Sequence, residues 1–403
     1  SRSEDNSVAL AYAHSNAGQW SMKFYFPRED LTLTYPLSSN KKDSVCYTLA
    51  DTDNDGRDEI LLIESKKTAG TYPAVRLSPD LSSSSLVSAH FSLSLASQPK
   101  RIIPADFNAD GMTDLLGLTR TGHYIYWNRN GSYLNSDRYY STDFGDCDIT
   151  ELGDFNGDGL PDMVINKKQS TDWYLALNNG NDSTSYFTLH EISQLKNYGA
   201  RKKNDGDNTL FCMVQDFDYD GKSDMLVGFA RGSYPNGAIC VLKSHGTTFS
   251  EENLYTYTSI KDFPIATHIV QGDFNGDGQP EILFYGRSAS ASTSGMSWHT
   301  LHGNDIIPAS NRMIAVRDGL GATDSLHYDV LTNPDIYHMD GSFANPYLHL
   351  RGAFPVVSEH GEYIPNDSQI TSYRYANGVM HRQGKGFLAF EEVEATSSTG
   401  LTT

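Results

Sequence analysis

Five segments of this chain repeat one nine-residue pattern, and that repeat limits the possible folds more than any other feature. They read DTDNDGRDE from Asp51, DFNADGMTD from Asp106, DFNGDGLPD from Asp154, DFDYDGKSD from Asp216 and DFNGDGQPE from Asp273. Their first aspartates lie 55, 48, 62 and 57 residues apart. A period near 50 residues marks a supersecondary unit that buries its faces only against its neighbours. Each motif runs into a short apolar stretch (EILLI, DLLGL, DMVI, DMLVG or EILF) that reads as a strand. Roughly 20 to 25 residues after the first Asp comes a second β-forming run: YPAVRL, YIYWNRN, WYLALNN, AICVLK or SWHTLH. Phe91, Leu93 and Leu95 alternate with serines, so the Ser-rich stretches belong to strands or hairpins rather than linkers. Residues 1–305 show no sustained helical periodicity.

Several short strands per copy predict an all-β chain, a β-propeller of six to seven blades, each a four-stranded sheet. Residues 8–50 read as the tail of a further copy. Glu4-Asp5 precede VALAY as Asp58-Glu59 precede ILLIE, and Trp20 opens a run like that at Trp173.

The repeated motif carries its own chemistry. In Asp154-Phe155-Asn156-Gly157-Asp158-Gly159-Leu160-Pro161-Asp162, side-chain oxygens at positions 1, 3, 5 and 9 and the carbonyl at 7 suit one hard cation. Glycine at position 6 permits the turn that folds them inward. The corresponding sets are Asp51, Asp53, Asp55, Arg57 and Glu59; Asp106, Asn108, Asp110, Met112 and Asp114; Asp154, Asn156, Asp158, Leu160 and Asp162; Asp216, Asp218, Asp220, Lys222 and Asp224; and Asp273, Asn275, Asp277, Gln279 and Glu281. Oxygen-only ligation with several carboxylates per site favours Ca²⁺ over zinc or copper, and Mg²⁺ resists losing so many waters. Up to five Ca²⁺ are expected. Asp, Asn and Gly also favour turns without any metal, so one loop alone would carry little weight; five in one phase carry the metal reading.

Charge agrees with this. The chain has 403 residues with 31 basic and 50 acidic side chains, a net charge of −19, and 17 of the acids stand at ligand positions. Such a balance speaks against nucleic acid or an anionic membrane as partner. No apolar run approaches the ~18 residues that would cross a bilayer. Ser1 to Asn6 lack the basic-then-apolar plan of a signal peptide, and a start at Ser suggests a processed protein or a piece of a longer one. Cys46, Cys147, Cys212 and Cys240 are spaced for neither a disulfide framework nor a zinc site and are expected as buried thiols.

The five loops resemble the FG-GAP, or VCBS, repeats of integrin alpha-subunit propellers and bacterial surface proteins, over about residues 40–305. Residues 308–403 break the repeat. Arg317-Asp318-Gly319-Leu320-Gly321-Ala322-Thr323 leads into SLHYDVL, followed by FPVVSEH from Phe354, TSYRY from Thr371 and GKGFLAFEEVEA from Gly384. That series resembles the segment after the propeller in B components of bacterial insecticidal toxin complexes and related Rhs/YD-repeat proteins. Ala389 departs from it by standing where Gly is usual. The expected division is residues 1–307, propeller, and 308–403, toxin-B-like β segment; an ordinary β-sandwich is the other reading of the tail. No YD-repeat array or aspartyl self-cleavage signature is present in the sequence.

No GxSxG, HExxH or P-loop motif occurs. His299 and His302, three apart in a strand, would face opposite sides. His338 and Asp340 near Tyr337 fit a turn after Asn333-Pro334 better than an active site. Trp20, Trp127, Trp173 and Trp298 recur at equivalent repeat positions, which suits packing more than sugar stacking. The resemblance therefore implies a non-enzymatic scaffold, secreted or on a bacterial surface. Its partner would be another protein or the remainder of a longer Rhs/toxin-like chain. A glycan-binding adhesin and a calcium-dependent polysaccharide lyase are the competing classes, the second weakened by the low basic content.

Overall fold

The computed structural model describes residues 10–398 apart from 17–18, 27–29, 38–44, 56–57, 65–69, 81–83, 96, 146, 168–171, 181–184, 196–210, 219, 232–233, 257–263, 273, 276–280, 289–295, 302–311, 345, 365–366 and 382–385. Apart from one 3-10 turn, Ser193–Leu195, every described element is a strand. The strands form seven antiparallel-dominated sheets, of which six follow one another as simple meanders.

Sheet one contains β1 (Leu10–Asn16), β2 (Gln19–Phe26) and β3 (Leu31–Pro36). Sheet two contains β4 (Val45–Ala50), β5 (Glu59–Glu64), β6 (Tyr72–Asp80) and β7 (Ser85–Leu93). Sheet three is built from β8 (Pro99–Ala105), β9 (Asp114–Thr119), β10 (His123–Asn128) and β11 (Tyr133–Ser141). In sheet four the strands are β12 (Cys147–Gly153), β13 (Asp162–Lys167), β14 (Trp173–Asn178) and β15 (Phe187–Glu191). Sheet five has β16 (Phe211–Gln215), β17 (Asp224–Arg231), β18 (Tyr234–Ser244) and β19 (Phe249–Thr256), and sheet six has β20 (Pro264–Gly272), β21 (Glu281–Ser288) and β22 (Met296–Leu301).

The fold is thus all-β, a series of small meander sheets, and the repeat keeps one place in each of sheets two to six. Each acidic motif lies in the chain between the first and second strands of a sheet. The apolar run after it is the second strand, and the later β-forming run is the third. Residues 8–50 divide differently from the expected tail of one copy. Residues 10–36 make a three-stranded sheet, whereas Val45–Ala50 pair with β5 and open sheet two, Ala50 facing Glu59. The opening strand of a repeat escaped the sequence because it lies on the N-terminal side of its motif and carries no marker.

The chain divides into two compact units. One comprises Ser1–Cys147, Asn179–Tyr186 and Arg382–Gly384; the other comprises Asp148–Asn178, Phe187–His381 and Lys385–Thr403. In the first, Leu61, Ile63, Tyr72, Leu93, Leu95, Ile102 and Tyr126 make a core between sheets two and three. Met22, Phe24, Phe26, Leu62 and Leu77 make one between sheets one and two. In the second, Phe155, Val164, Trp173, Leu175, Met225, Cys240 and Phe249 join sheets four and five. The central strands β9 and β10 are buried along their whole length, which explains their continuous apolar runs.

The tail forms a different sheet, in the order β23 (Ala315–Arg317), β24 (Thr323–Val330), β27 (Pro355–Ile364), β28 (Asp367–His381) and β25 (Tyr337–His338), with β26 (Tyr347–His349) and β29 (Gly386–Ser397) also pairing β28. The Asp318-to-Ala322 turn between β23 and β24 is closed by Asp318, whose Oδ1 accepts the amides of Leu320 and Ala322, both at 2.8 Å. Among its described residues the buried apolar side chains are few: Ala376, and the cluster of Leu331, Tyr337 and Leu350, against which Val356, Tyr375, Met380 and Phe390 pack.

Candidate metal-binding loops

Loop three shows the motif in full. Asp154 Oδ1 accepts the amides of Gly157 (2.7 Å) and Asp158 (3.1 Å), and its Oδ2 accepts that of Gly159 (2.8 Å). Asn156 Oδ1 accepts the Asp158 amide at 3.0 Å, and Asp158 Oδ1 accepts the Leu160 amide at 2.9 Å. Positions 1, 3 and 5 therefore turn inward because the loop's own N–H groups draw them there. Two left-handed residues make the turn, Gly157 at φ 78° and Gly159 at φ 83°. Loop two repeats it: Asp106 accepts from Asp110 (3.1 Å) and Gly111 (2.7 Å), and Asp110 from Met112 (2.9 Å). In loop four Asp216 accepts from Asp220 (3.2 Å) and Gly221 (3.0 Å), and Asp220 from Lys222 (2.9 Å). Loop one keeps the Asp51-to-Asp55 contact at 3.1 Å.

Position 9 does something the sequence did not disclose. Asp162 Oδ2 accepts the Phe155 amide at 3.0 Å, while Oδ1 reaches the third strand and accepts the Asn178 amide at 2.8 Å. Asp114 likewise holds Phe107 (3.1 Å) and Asn128 (2.8 Å), and Asp224 holds Phe217 (3.0 Å) and Ser244 (2.9 Å). Glu59 accepts from Thr52 N at 2.9 Å and Glu281 from Phe274 N at 2.7 Å. All five acids are buried. Each is a latch that ties its loop to the sheet; Asp114, Asp162 and Asp224 do so through one lone pair per oxygen, so each of their oxygens retains another for a cation, whereas Glu59 Oε2 accepts both the amide and the hydroxyl of Thr52.

Burial dominates the electrostatics of these latches. It pushes Asp114 and Asp224 up to about 7 and Asp162 up to about 6; accepted amide hydrogen bonds oppose the shift, and the loop's other aspartates add to it. Burial raises Glu59 as well. Negative charge gathered this way is costly without a compensating cation. The donor set fits a hard one. Carboxylate oxygens of Asp51, Asp53, Asp55 and Glu59 lie within 4.8 Å of one another, as do those of Asp216, Asp218 and Asp224. Oxygens sharing a Ca²⁺ at about 2.3–2.6 Å are separated by no more than this order of distance.

Basic side chains approach some loops. Arg76 Nη1 lies 3.4 Å from Asp53 Oδ2, and Arg129 Nη1 lies 3.8 Å from Asp110 Oδ2. In loop four Lys243 Nζ pairs with Asp218 Oδ2 and lies 3.7 Å from Asp220 Oδ2, and Lys222 Nζ lies 3.0 Å from the same oxygen. Burial would raise Asp220, but the hydrogen bonds and charge of Lys222, with the charge of Lys243, leave it lowered. Arg57, Asp273, Asp277 and Gln279 lie outside the described residues, as do most of the ligands expected in loop five; Asn275 is exposed.

Sequence reasoning missed Asn128, Asn178 and Ser244, the residues that end the third strands. Besides giving its amide to Asp114, Asn128 donates Nδ2 to Thr52 O in loop one (3.1 Å). Ser244 gives its amide to Asp224 and donates Oγ to Phe155 O in loop three (2.7 Å). Each therefore closes its own loop and holds the preceding one. Loops three and four also touch directly, Ser223 N donating to Asp154 O at 2.6 Å and Asp154 N to Ser223 Oγ at 3.0 Å. The available signal was a polar residue at the end of YIYWN, WYLALN and AICVLKS.

The remaining sequence candidates lie in packed cores or in surface turns. Trp173 and Trp127 are buried and Trp20 packs on the sheet-one core, while the Trp298 side chain lies outside the described residues. His338 and Asp340 are exposed, 3.6 Å apart, beyond a turn in which Asn333 O accepts the amides of Ile336 and Tyr337. All four cysteines are free; Cys240 is buried and its thiol is pushed up to about 12, mainly by that burial. No helix is long and apolar enough to cross a membrane among the described residues.

With this geometry in place, similarities to known proteins fall into line. The FG-GAP-like repeat family matches residues 106–165 and 216–284. No curated protein matches the chain. The Photorhabdus luminescens Tc holotoxin pore superposes with a TM-score of 0.53 at 15% identity, over 96% of this chain and 18% of that one. An Agrocybe aegerita lectin that recognises non-reducing terminal N-acetylglucosamine gives 0.46 at 15% identity, over 74% and 80% of the two chains. A TcdB2–TccC3–Cdc42 complex gives 0.42 at 14%, over 97% and 22%. The Tc holotoxin likeness bears on the fold alone. This chain spans less than a fifth of that chain's length.

Proposed function

We propose that this chain is a calcium-stabilised, non-enzymatic docking scaffold, a β-propeller followed by the first part of a larger toxin-complex-like β structure. The observation that supports it most is the loop latch. The same buried acid, engaged by backbone amides, recurs at the first turn of five successive sheets, with further oxygens converging beside three of those latches. A cation there would neutralise the acids and brace the loop against its sheet; its role is structural, and no catalytic step is assigned to it. The chain's own residues supply the rest: position 9 anchors, positions 1 to 5 wrap, and the third-strand residues tie loops together.

In this reading the partners are the remainder of a longer chain and the other proteins of a Tc-type assembly, and the setting is extracytoplasmic and bacterial. The similarity over 96% of this chain supports that assignment. Trp127 and Trp173 are spent on packing and so offer no platform to the lectin-like alternative. Titration of the chelator-treated chain with Ca²⁺, with Mg²⁺ as control, tests the metal: heat of binding and a rise in melting temperature are expected with Ca²⁺. Negative-stain microscopy of the chain mixed with a Tc-type pore protein tests the docking. A defined complex is expected; no complex, together with a glycan-array signal, would move the function to the adhesin class.

A further inference from the structure

The loops are not electrically alike, and the difference follows one residue position. Loops two and three carry Asn108 and Asn156 at position 3, whereas loops one and four carry Asp53 and Asp218. Both extra acids meet a basic side chain from the third strand of their own sheet: Arg76 of β6 on Asp53 at 3.4 Å, and Lys243 of β18 on Asp218. Lys243 meets the more deeply buried of the two acids. Met225 faces Leu242 in the β17–β18 register, which puts Lys243 beside the latch Asp224. The same step holds Trp127 in sheet three, from Leu115 facing Tyr126, and Leu177 in sheet four, from Met163 facing Ala176, both buried and apolar, and in sheet two, from Ile60 facing Leu77, the half-buried Ser78. The Asp218 side chain is only 1% exposed, and Lys243 Nζ also lies 3.7 Å from Asp220 Oδ2. An ammonium thus stands among the carboxylates that would gather round a metal.

We propose that Lys243 is the resident cation of loop four, holding that loop in shape without a divalent ion and competing with calcium for it. An ammonium supplies one charge and three donors at the point where Ca²⁺ would supply two charges and accept six or more oxygens. Occupying both would place like charges within a few ångströms, so binding of one expels the other. Calcium dependence then rests on the Asn-type loops, and loop four stays closed when calcium is withdrawn. This deepens the calcium reading of the loops and rests on it only for the competition; the resident-cation role stands on the contacts of Lys243.

The test is amide hydrogen exchange on the whole chain, with chelator and with excess Ca²⁺, for wild type and Lys243→Gln, and Lys243→Met as a variant that keeps the aliphatic stem. In wild type, the amides of Asp158, Gly159 and Leu160 should gain at least tenfold protection with Ca²⁺, while those of Asp220, Gly221 and Lys222 change less than twofold. In the variants, the loop-four amides should lose protection in chelator and regain it with Ca²⁺, and calcium titration should show one more bound equivalent. If wild-type 216–224 responds to Ca²⁺ as strongly as 154–162, the proposal is overturned without any variant. It also falls if Lys243→Gln leaves 216–224 equally protected in chelator. Should no loop respond to Ca²⁺, the calcium reading fails separately, and the chelator comparison still decides the role of Lys243.

Discussion

Ala109 occupies position 4 of loop two with φ 56°, where loop three has Gly157 at φ 78°. A Cβ in the left-handed region costs about 1–2 kcal/mol, partly offset by the lower entropy that Ala brings to the unfolded chain. Ala109→Gly should therefore stabilise the protein by about 0.5–1 kcal/mol in chemical denaturation. Gly159→Ala, at φ 83° and with open space around its Cβ, should destabilise by a similar amount through backbone strain alone. Asn128 is the residue with the most to lose. Its buried Nδ2 serves Thr52 O, Thr113 O and Tyr133 Oη, and its Oδ1 accepts the Gly131 amide at 2.8 Å. Truncation to Ala strands several buried partners and should cost about 3 kcal/mol, measured as a lower denaturation midpoint. A loss below about 0.5 kcal/mol would mean the side chain holds nothing together.

At the scale of the loop and its sheet, pH offers a test of the latches. Unfolded aspartates ionise near 3.9, about two or three pH units below the buried latch acids Asp114, Asp162 and Asp224. Between those values the folded chain binds more protons, so without divalent ions its stability falls as pH rises through the window of about 4 to 7. His123 acts in the opposite sense. Buried against Phe144, it is lowered to about 4, so its contribution is lost as pH drops below about 6.5. In chelator, the melting temperature should rise as pH falls from 7.5 to 6, and excess Ca²⁺ should flatten that slope because a bound cation favours the ionised acids. A melting temperature that falls over that interval in chelator would contradict the burial of these carboxylates as charged groups. The loops were legible in the sequence because a turn closed by its own side chains needs short acids or amides and left-handed residues at fixed spacing. The third-strand anchors were not, since Asp114 and Asp162 take hold of a backbone amide that every residue but proline offers. Nor was Val45–Ala50 recognisable as an opening strand, because its identity comes from pairing with β5 and not from any motif of its own.

Over the whole molecule, packing sets the limits of independence, and in the proposed reading ion binding does too. If each loop held Ca²⁺ ten- to a hundredfold more tightly than the ambient concentration requires, linkage would contribute about 1.4–2.7 kcal/mol per site, comparable in total to the ~5–15 kcal/mol of a typical fold. Excess chelator should accordingly lower the melting temperature by many degrees, and Asp158→Ala should do so in part; an unchanged melting curve would refute a structural ion. The tail sheet has a small core, and its 12-residue strand β29 pairs on one side with β28. Residues 308–403 expressed alone are expected to aggregate or stay unfolded, because so little apolar surface is buried and strand edges invite pairing. A cooperative thermal transition from that fragment would instead establish an autonomous domain. The contacts from Asn128 to Thr52 and from Ser244 to Phe155 also bear on how such a chain can diversify. A recombination crossover in residues 94–98 or 192–210 would leave every sheet intact yet marry each loop to a foreign anchor. The piece that can be inherited as a working whole is not the sheet but the joint, reaching from one loop across the boundary to the end of the next third strand.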